Sequence, residues 1–345
     1  MPLELVNLNR LWSQGLSFLG TKIAIMGGAM SWVSERHLVA AISNAGGFGV
    51  LACGSMSPDL LAAEIKATKT LTNKPFGVNL ITIHQQLMEL IEVCGYLKVG
   101  HIILANGLPK VISIQRPKEL GIKVICFAPT VSFGKKLISR GADALIIEGS
   151  EAGGHVGVVS TSVLAQEILP AIRTVPIFVA GGIGRGEAIL SYLEMGAAGV
   201  QLGTRFICAN ECIAHTNFKK AFIRASSRDA VLPEQLDPNF PVIPVRALIN
   251  QASRRFVLFQ QNVINRFRNG ELDHKTAQLE IEHYWIGALK KAVIDGDIEN
   301  GSLMSGQSVG MITQEQSANE IINELVEQTL LALNTRRIFE KEERN

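Results

Sequence analysis

The stretch PIFVAGGIGRGEAILSYLEMGAAGVQLGTRF, from Pro176 to Phe206, contains the unit from which most of the chain is built. Apolar runs rich in β-branched and aromatic residues predict strands at Pro176–Ala180 and Gly199–Leu202. Between them, Arg185–Met195 has apolar residues at helical spacing. Because both strands are apolar along nearly their whole length, we expect them to lie parallel in a sheet covered on both faces.

The same strand–helix unit recurs along the first two-thirds of the chain. Eight such units at roughly 25-residue spacing predict a closed (β/α)₈ barrel, the TIM barrel. A doubly wound open sheet is the alternative, because alternation alone does not establish closure. The predicted strands are Lys22–Met26, Gly49–Ala52, Phe76–Leu80, His101–Leu104, Lys123–Phe127, Ala144–Ile147, Pro176–Ala180 and Gly199–Leu202. Predicted helices between them include Ser34–Asn44, Pro58–Leu71, Val131–Arg140, Val163–Ile172 and Arg185–Met195.

The alternation stops after Leu202. A proline-rich stretch, Leu232–Pro244, can be neither regular helix nor central strand. Two long helical patterns follow at Leu248–Arg268 and Thr276–Val293, and a last one lies at Ala318–Leu333. We therefore expect a barrel from residues 1–210 and 283–345, with residues 211–282 inserted as a mostly helical cap over its mouth. A Gly/Ser-rich loop occupies residues 301–310.

Composition limits the classes of partner. The chain is 47% hydrophobic and 19% charged with a net charge of +2, which is typical of a globular protein and gives no indication of a nucleic-acid partner. The N-terminus lacks the pattern of a signal peptide, and no apolar run reaches the ~18 residues of a membrane helix. Five scattered cysteines have no zinc-type spacing. We expect a cytoplasmic protein without a membrane partner.

Glycine gathers where the predicted strands end, which is where barrels hold their active sites. The sequences GGIGRG at Gly181–Gly186 and GTRF at Gly203–Phe206 follow the seventh and eighth strands. Glycine lets backbone N–H groups approach a phosphate closely, and the helix after the first turn adds its positive end. The alternative is that these two glycine segments are only tight turns between strand and helix and bind no phosphate. GGIGRG does not match the dinucleotide fingerprint, and Gln201 stands where its ribose-binding acid would be expected.

His155 is the candidate catalytic residue. It lies in the glycine-rich stretch EGSEAGGHVG, which follows the sixth strand, and histidine exchanges protons near neutral pH. The alternative is a loop histidine that only bonds a nearby carbonyl. Of Glu148 and Glu151 in the same stretch, we expect one to contact the ligand and the other to be structural. Metal-binding and serine-hydrolase motifs are absent from the sequence.

The chain resembles the nitronate monooxygenase (2-nitropropane dioxygenase) family. The resemblance lies in the combination of the segments GGAM, SNAGGFGVLACG, PFGVNL, EGSEAGGHVG, VAGGIGRG and VQLGTRF. Flavin-type enoyl-acyl-carrier-protein reductases share that superfamily. The resemblance runs from about Lys22 to Leu333 and implies an FMN-binding barrel with a smaller cap domain. It assigns His155 as the active-site histidine. The cofactor-binding positions it implies are Gly28, Ala29, Met30, Asn79, Glu148, Gly153, Gly154, Gly181, Gly182, Gln201, Leu202, Gly203 and Thr204.

The resemblance implies a reaction in which O₂ and an alkyl nitronate give a carbonyl compound and nitrite, with His155 removing a proton from the substrate or orienting it. Glu148 departs from the glutamine usual in that branch and matches the reductases. The alternative is therefore an NAD(P)H-dependent enoyl-acyl-carrier-protein or quinone reductase. A third hypothesis is a flavin-free barrel that binds phosphate sugars. The partners implied are a small-molecule substrate and O₂, and the sequence is compatible with a homodimer.

Overall fold

The computed structural model describes residues 3–54, 56–232, 236–237 and 245–342. The strands in these residues are β1 (Ile25–Gly27), β2 (Gly49–Ala52), β3 (Phe76–Ile81), β4 (His101–Ala105), β5 (Lys123–Phe127), β6 (Ala144–Glu148), β7 (Gly154–His155), β8 (Ile177–Ala180), β9 (Gly199–Leu202), β10 (Ala230–Val231) and β11 (Val245–Leu248). Eight of them are parallel and form one sheet, in the order β1-β9-β8-β6-β5-β4-β3-β2.

Hydrogen bonds between the two ends of this sheet close it. Met26 of β1 forms a parallel bridge with Phe48, which directly precedes β2. The Phe48 N–H donates to Ile25 O and the Gly27 N–H donates to Phe48 O, both at 2.9 Å. The predicted (β/α)₈ barrel is thus confirmed, and the open-sheet alternative is wrong.

Both faces of the strands are buried, which explains why they are apolar without interruption. Alternate residues point into the barrel or out toward the helices, as the two-residue period of a strand requires. In β6, for example, Ala144 and Ile146 belong to the inner cluster, whereas Leu145 and Ile147 belong to the outer one. The inner cluster consists of Leu19, Met26, Phe48, Val50, Ile103, Ile125, Ala144, Ile146, Phe178, Ala180 and Ala198.

Helices cover the outside of the barrel close to the predicted positions. The first of them to follow a strand begins at Arg36 rather than Ser34, because the Glu35 carboxylate accepts from the N–H groups of His37 and Leu38 and so caps the helix. The helices are α1 (Leu3–Leu11), α2 (Ser13–Leu19), α3 (Arg36–Asn44), α4 (Pro58–Leu71), α5 (Leu87–Tyr96), α6 (Val111–Glu119), α7 (Val131–Ser139), α8 (Thr161–Ile168), α9 (Gly186–Glu194), α10 (Thr216–Arg224), α11 (Gln251–Arg268), α12 (His274–Val293) and α13 (Ala318–Glu342).

The sequence analysis did not predict the two N-terminal helices α1 and α2, of which α2 lies at the amino end of the barrel and α1 packs on α13. Trp12 and Leu19 are buried. The ring of Phe18 meets that of His101, which begins β4, edge-on at a centroid distance of 5.3 Å. Helix α2 therefore closes the end of the barrel opposite to the glycine turns.

The region after β9 contains strands as well as helices. β11 pairs antiparallel with β10 and with β7, so the insertion is joined by backbone hydrogen bonds to the segment that contains His155. The prediction that a helix begins at Leu248 is wrong, since Leu248 ends β11 and Asn250 caps α11. Positions 233–235 and 238–244 of the proline-rich stretch lie outside the described residues.

The insertion packs partly on itself and partly on the barrel. Val245, Phe256, Val263 and Ile281 belong to a small separate apolar cluster formed by β11, α11 and α12. Phe218 and Phe222 of α10, by contrast, join the main core. The division at residues 211 and 282 stays a prediction. Across the described part of the chain, no helix has both the length and the apolarity needed to cross a membrane.

Candidate active site

Three polar side chains point into the barrel at its carboxyl end. Asn79, Glu148 and Gln201 each continue the inward-facing alternation of their strands, above the inner apolar cluster. In the sheet, Ala180 of β8 pairs with Glu148 of β6 on one side and with Gln201 of β9 on the other. Glu148 and Gln201 are therefore two strands apart, a spacing of roughly 10 Å. Small residues, Ala52 and Ala180, occupy neighbouring inward positions. The structure thus unites three of the predicted cofactor-binding residues in one polar layer.

The carboxyl group of Glu148 is a weaker acid than an ordinary glutamate. Burial raises the pKa of its carboxyl group from 4.5 to about 8. Part of the residue's surface nevertheless stays accessible at the carboxyl end of the barrel. At neutral pH the group is therefore mostly a neutral carboxylic acid, which can donate a hydrogen bond that a carboxylate cannot.

The turns after β1 and β9 meet at the mouth. The Gly28 N–H donates to Leu202 O at 2.8 Å, and a Cβ on Gly28 would lie 3.3 Å from the Cα of Gly203. Met30 Sδ would lie 3.4 Å from a Cβ on Gly203, and Ala29 and Met30 are both partly exposed. These four predicted residues are thus neighbours. The Leu202 side chain packs in the outer core, so it can offer a ligand only its backbone.

The turn after β8 requires glycine. Gly181 and Gly182 have φ angles of +97° and +70°, a region that L-residues other than glycine rarely adopt. The turn leads into α9, whose N-terminus adds a positive dipole end. Arg185 forms an exposed ion pair with Glu187 at 2.6 Å, which accounts for its charge without a ligand.

The glutamate that ends β6, Glu148, and the glutamate in the loop after it, Glu151, have different roles. Glu151 Oε2 accepts from Thr161 N at 2.8 Å and from Thr161 Oγ1 at 3.0 Å, at the start of α8. Glu151 also covers the glycine turn, since a Cβ on Gly182 would lie 2.8 Å from the Glu151 Cβ. Glu151 is thus structural, and Glu148 is the glutamate that faces the barrel interior.

His155 lies in a strand rather than in an open loop. It is exposed, its neighbour Gly154 is buried with φ +74°, and the two residues form β7 against Val245 and Arg246. Arg246 Nε donates to Ser150 O at 3.0 Å and Nη1 donates to Ala230 O at 2.7 Å, which ties this segment to the insertion. The histidine is therefore held on a backbone that three segments share.

The loop at residues 301–310 belongs to the site, although the sequence analysis did not assign it. The Gly306 N–H donates to Thr204 Oγ1 at 2.9 Å, and the Gln307 N–H donates to Glu151 O at 2.9 Å. A Cβ on Gly153 would lie 2.5 Å from Gly306 N. Close backbone packing thus accounts for glycine at position 153 without a ligand. The Gly/Ser-rich composition was the only signal in the sequence.

Other reactive groups in the described residues do not form a second centre. All five cysteines are free and buried. Burial raises the pKa of the Cys208 thiol to about 12 and that of Cys212 to about 11, so both are protonated and unreactive at neutral pH. A group of three or more metal-ligating side chains is not found within the described ranges.

Comparisons with known proteins agree with this geometry. The nitronate monooxygenase family model matches residues 13–95 and 88–328. The structure of FabK from Thermotoga maritima superposes with a TM-score of 0.83 at 33% identity and covers 94% of this chain and 98% of its own. Nitroalkane oxidase from Streptomyces ansochromogenes superposes with a TM-score of 0.77 at 26% identity and covers 93% and 99%.

A curated relative from Mycobacterium tuberculosis is (3aS,4S,5R,7aS)-5-hydroxy-7a-methyl-1-oxo-octahydro-1H-indene-4-carboxyl-CoA dehydrogenase. It is 30% identical over 94% of this chain and 98% of its own length. Similarity of this extent, together with the family match over most of the sequence, covers the barrel, the insertion and the last helix. The chain therefore belongs to the nitronate monooxygenase family, a family of flavin-dependent oxidoreductases.

Proposed function

We propose that this protein is an FMN-dependent oxidoreductase that uses NAD(P)H to reduce the double bond of an α,β-unsaturated acyl thioester. The observation that carries the proposal is the layer of inward-facing polar side chains at the barrel mouth, Asn79, Glu148 and Gln201, beside the glycine turns. Within this layer burial raises the pKa of Glu148. The proposal places the enzyme in the cytoplasm, where its thiols would stay reduced.

The residues at the mouth fit FMN. The turns at Gly181–Gly182 and Gly203–Thr204 would hold the phosphate through backbone N–H groups, aided by the N-terminus of α9. The backbone and side chains of Gly28–Met30 would lie against the ring, and Asn79 and Gln201 would bond its polar edge. Bound FMN supplies two-electron redox chemistry that no side chain of this chain provides.

The chain's own residues would provide the polar contacts and the proton. Glu148, as a neutral acid, can donate a hydrogen bond to a thioester carbonyl oxygen as negative charge develops there. His155, exposed on β7, would deliver a proton to the substrate carbon and recover it from water. β7 and β11 hold the backbone of His155 in place for this transfer.

Sequence similarity supports the thioester as substrate. The chain is 33% identical to FabK, an enoyl-acyl-carrier-protein reductase, and 30% identical to a dehydrogenase whose name specifies a carboxyl-CoA substrate. Its identity to the nitroalkane oxidase is lower, at 26%. Glu148, the position at which the sequence departs from the nitronate branch, supports the same choice.

Oxidation of alkyl nitronates by O₂ is the second candidate. The family model and the nitroalkane oxidase structure support it. In this reaction His155 would take a proton from a neutral nitroalkane or orient the nitronate anion, and the products would be a carbonyl compound and nitrite. NAD(P)H would not be required.

Anaerobic spectroscopy tests the proposal. The purified yellow protein is mixed in turn with NADH, with NADPH and with propyl-2-nitronate, and the flavin absorbance is followed. We expect one of the two nicotinamide cofactors to bleach the flavin, and crotonyl-CoA added afterwards to restore the colour.

Two results would contradict the proposal. Absence of bleaching by either nicotinamide cofactor removes the reductase function. Bleaching by the nitronate alone, with nitrite release in air without NAD(P)H, replaces it by the second candidate. A colourless protein that does not bind added FMN would reject both functions in favour of a flavin-free barrel.

A further inference from the structure

A single carboxylate on the last helix, Glu324 of α13, contacts three other polar side chains. Its Oε2 accepts from Arg205 Nη2 at 2.8 Å and from Gln316 Nε2 at 2.9 Å. Its Oε1 accepts from Gln328 Nε2 at 3.1 Å. Burial raises the pKa of Glu324, but the hydrogen bonds from Gln316 and Arg205 and the Arg205 charge outweigh that effect and leave the pKa below its usual value. The group is therefore an anion at neutral pH.

One arm of this network reaches the turn after β9. Arg205 directly follows Thr204 and is only 2% exposed. Its guanidinium bonds Glu324 and Gln316 through Nη2, and within the described residues its Nε has no partner. A buried cation depends strongly on its counter-ion. Glu324 thus holds the segment that follows Gly203 and Thr204.

The other arm reaches the turn after β8. Gln328 Oε1 accepts from the N–H of Gly186, the first residue of α9, at 2.8 Å. Thr329 Oγ1 donates to Gly186 O at 3.2 Å. A Cβ on Gly186 would lie 2.3 Å from Leu325 O, so α9 starts directly against the backbone of α13. The same helix therefore fixes the end of the Gly181–Gly186 turn.

We propose that Glu324 is a positioning residue that holds the turns after β8 and β9 at one fixed separation, and that it thereby sets how strongly the site prefers a flavin carrying a phosphate. The inference rests on the proposed function, in which these two turns share the FMN phosphate. Backbone donors on two separate strands bind one anion well only if their spacing is fixed before it arrives. Glu324 does not itself touch the ligand.

Flavin titration of the full-length apoprotein tests the inference. Binding of FMN and of riboflavin, which lacks the phosphate, is measured by flavin fluorescence for the wild type and for Glu324→Gln. The substitution keeps the shape but removes the charge. We expect the FMN-to-riboflavin affinity ratio to fall about tenfold, because only the phosphate contacts depend on the turn spacing. A general loss of stability would weaken both flavins alike.

Two further variants make the result decisive. Glu327→Gln removes the same charge from an exposed position on the same helix, and its ratio should match the wild type. Gln328→Met removes the acceptor for Gly186 N together with the donor to Glu324 Oε1, so it breaks the connection between Glu324 and the turn after β8, and it should lower the ratio even if Glu324→Gln does not fold. An unchanged ratio in the variants that fold overturns the inference. Failure of the wild type to bind either flavin would instead overturn the proposed function.

Discussion

Glu148 owes its raised pKa to its position in the barrel. Burial is the cause of its raised pKa, and alternation along β6 turns its side chain to the interior. Glu151, three residues later, has two hydrogen bonds from Thr161 and serves as a helix cap. Two identical side chains three residues apart thus have different chemistry, because Glu148 ends β6 on its inward face whereas Glu151 lies in the loop that follows.

His155→Ala tests the proton-transfer role. We expect the variant to keep its flavin, because the proposed cofactor contacts lie on other residues. Its kcat should fall on the order of 10²-fold if proton transfer limits the rate. Flavin absorbance of the purified protein and steady-state kinetics with the preferred substrate measure the two properties.

His37→Ala is the control for this change, since His37 is an exposed histidine on the outer helix α3. It should leave kcat unaltered. If His155→Ala retained full kcat while losing flavin, the histidine would be a binding residue and the proposed proton transfer would be rejected.

At the scale of elements, the turns at the strand ends form the site and the helices outside the barrel hold the turns. Gly203 has φ −99°, a value open to any residue, and the nearest atom to an added Cβ is the flexible Met30 Sδ at 3.4 Å. Glycine at this position is therefore not required by the fold, whereas Gly181 and Gly182 need their positive φ angles. A phosphate bound against this turn, as the proposed function has it, would explain glycine at 203.

Gly203→Val should accordingly fold and fail to hold FMN. We expect a melting temperature close to that of the wild type and a fall in FMN affinity of at least about tenfold, because the side chain blocks backbone approach to the phosphate. Calorimetry or circular dichroism gives the first quantity and fluorescence titration gives the second.

Gly100→Val is a matched control, because a Cβ at Gly100 meets no atom within 4 Å and the residue precedes β4 at the opposite end of the barrel. Its FMN affinity should equal that of the wild type. Normal FMN binding by Gly203→Val would show that the phosphate does not lie against this turn.

At the scale of the whole molecule, the two ends of the barrel have opposite characters. The carboxyl end is polar and open, whereas the amino end is sealed by α2 and by the rings of Phe18 and Phe48 around His101. His101 Nε2 lies 3.0 Å from Phe18 O, and burial is the main cause that lowers the pKa of His101 from 6.5 to about 4. The histidine is therefore neutral in the folded protein near pH 7.

This burial predicts a pH-dependent loss of stability. Between pH 6.5 and about pH 4, the unfolded chain binds a proton at His101 and the folded protein does not. The contribution of the neutral His101 to the free energy of unfolding is therefore complete above pH 6.5 and is lost as the pH falls toward 4. Compared with His101→Gln, the wild type should lose about 2 kcal/mol more free energy of unfolding between about pH 7.5 and about pH 5. Urea denaturation at both pH values measures this difference, and parallel curves for the two proteins would refute the assignment.

The sequence by itself determined the eight strands and most of the helices, because strand and helix periodicities are local and a buried parallel strand must be apolar throughout. It also located the glycine turns, His155 and Glu148. Only the tertiary structure showed that the barrel closes, because a closed barrel and an open sheet have the same strands and differ here in the bridge between Met26 and Phe48.

Tertiary structure alone decided how distant segments complete the site. Gly306 meets Thr204 across 102 positions, Gln328 meets Gly186 across 142, and Arg246 meets Ser150 across 96. These contacts depend on where the segments after β9 pack against the barrel, and local sequence patterns do not predict that packing. The glycine turns could be found in the sequence because they obey local backbone sterics, whereas the carboxylate that joins them acts through the packing of α13 on α9.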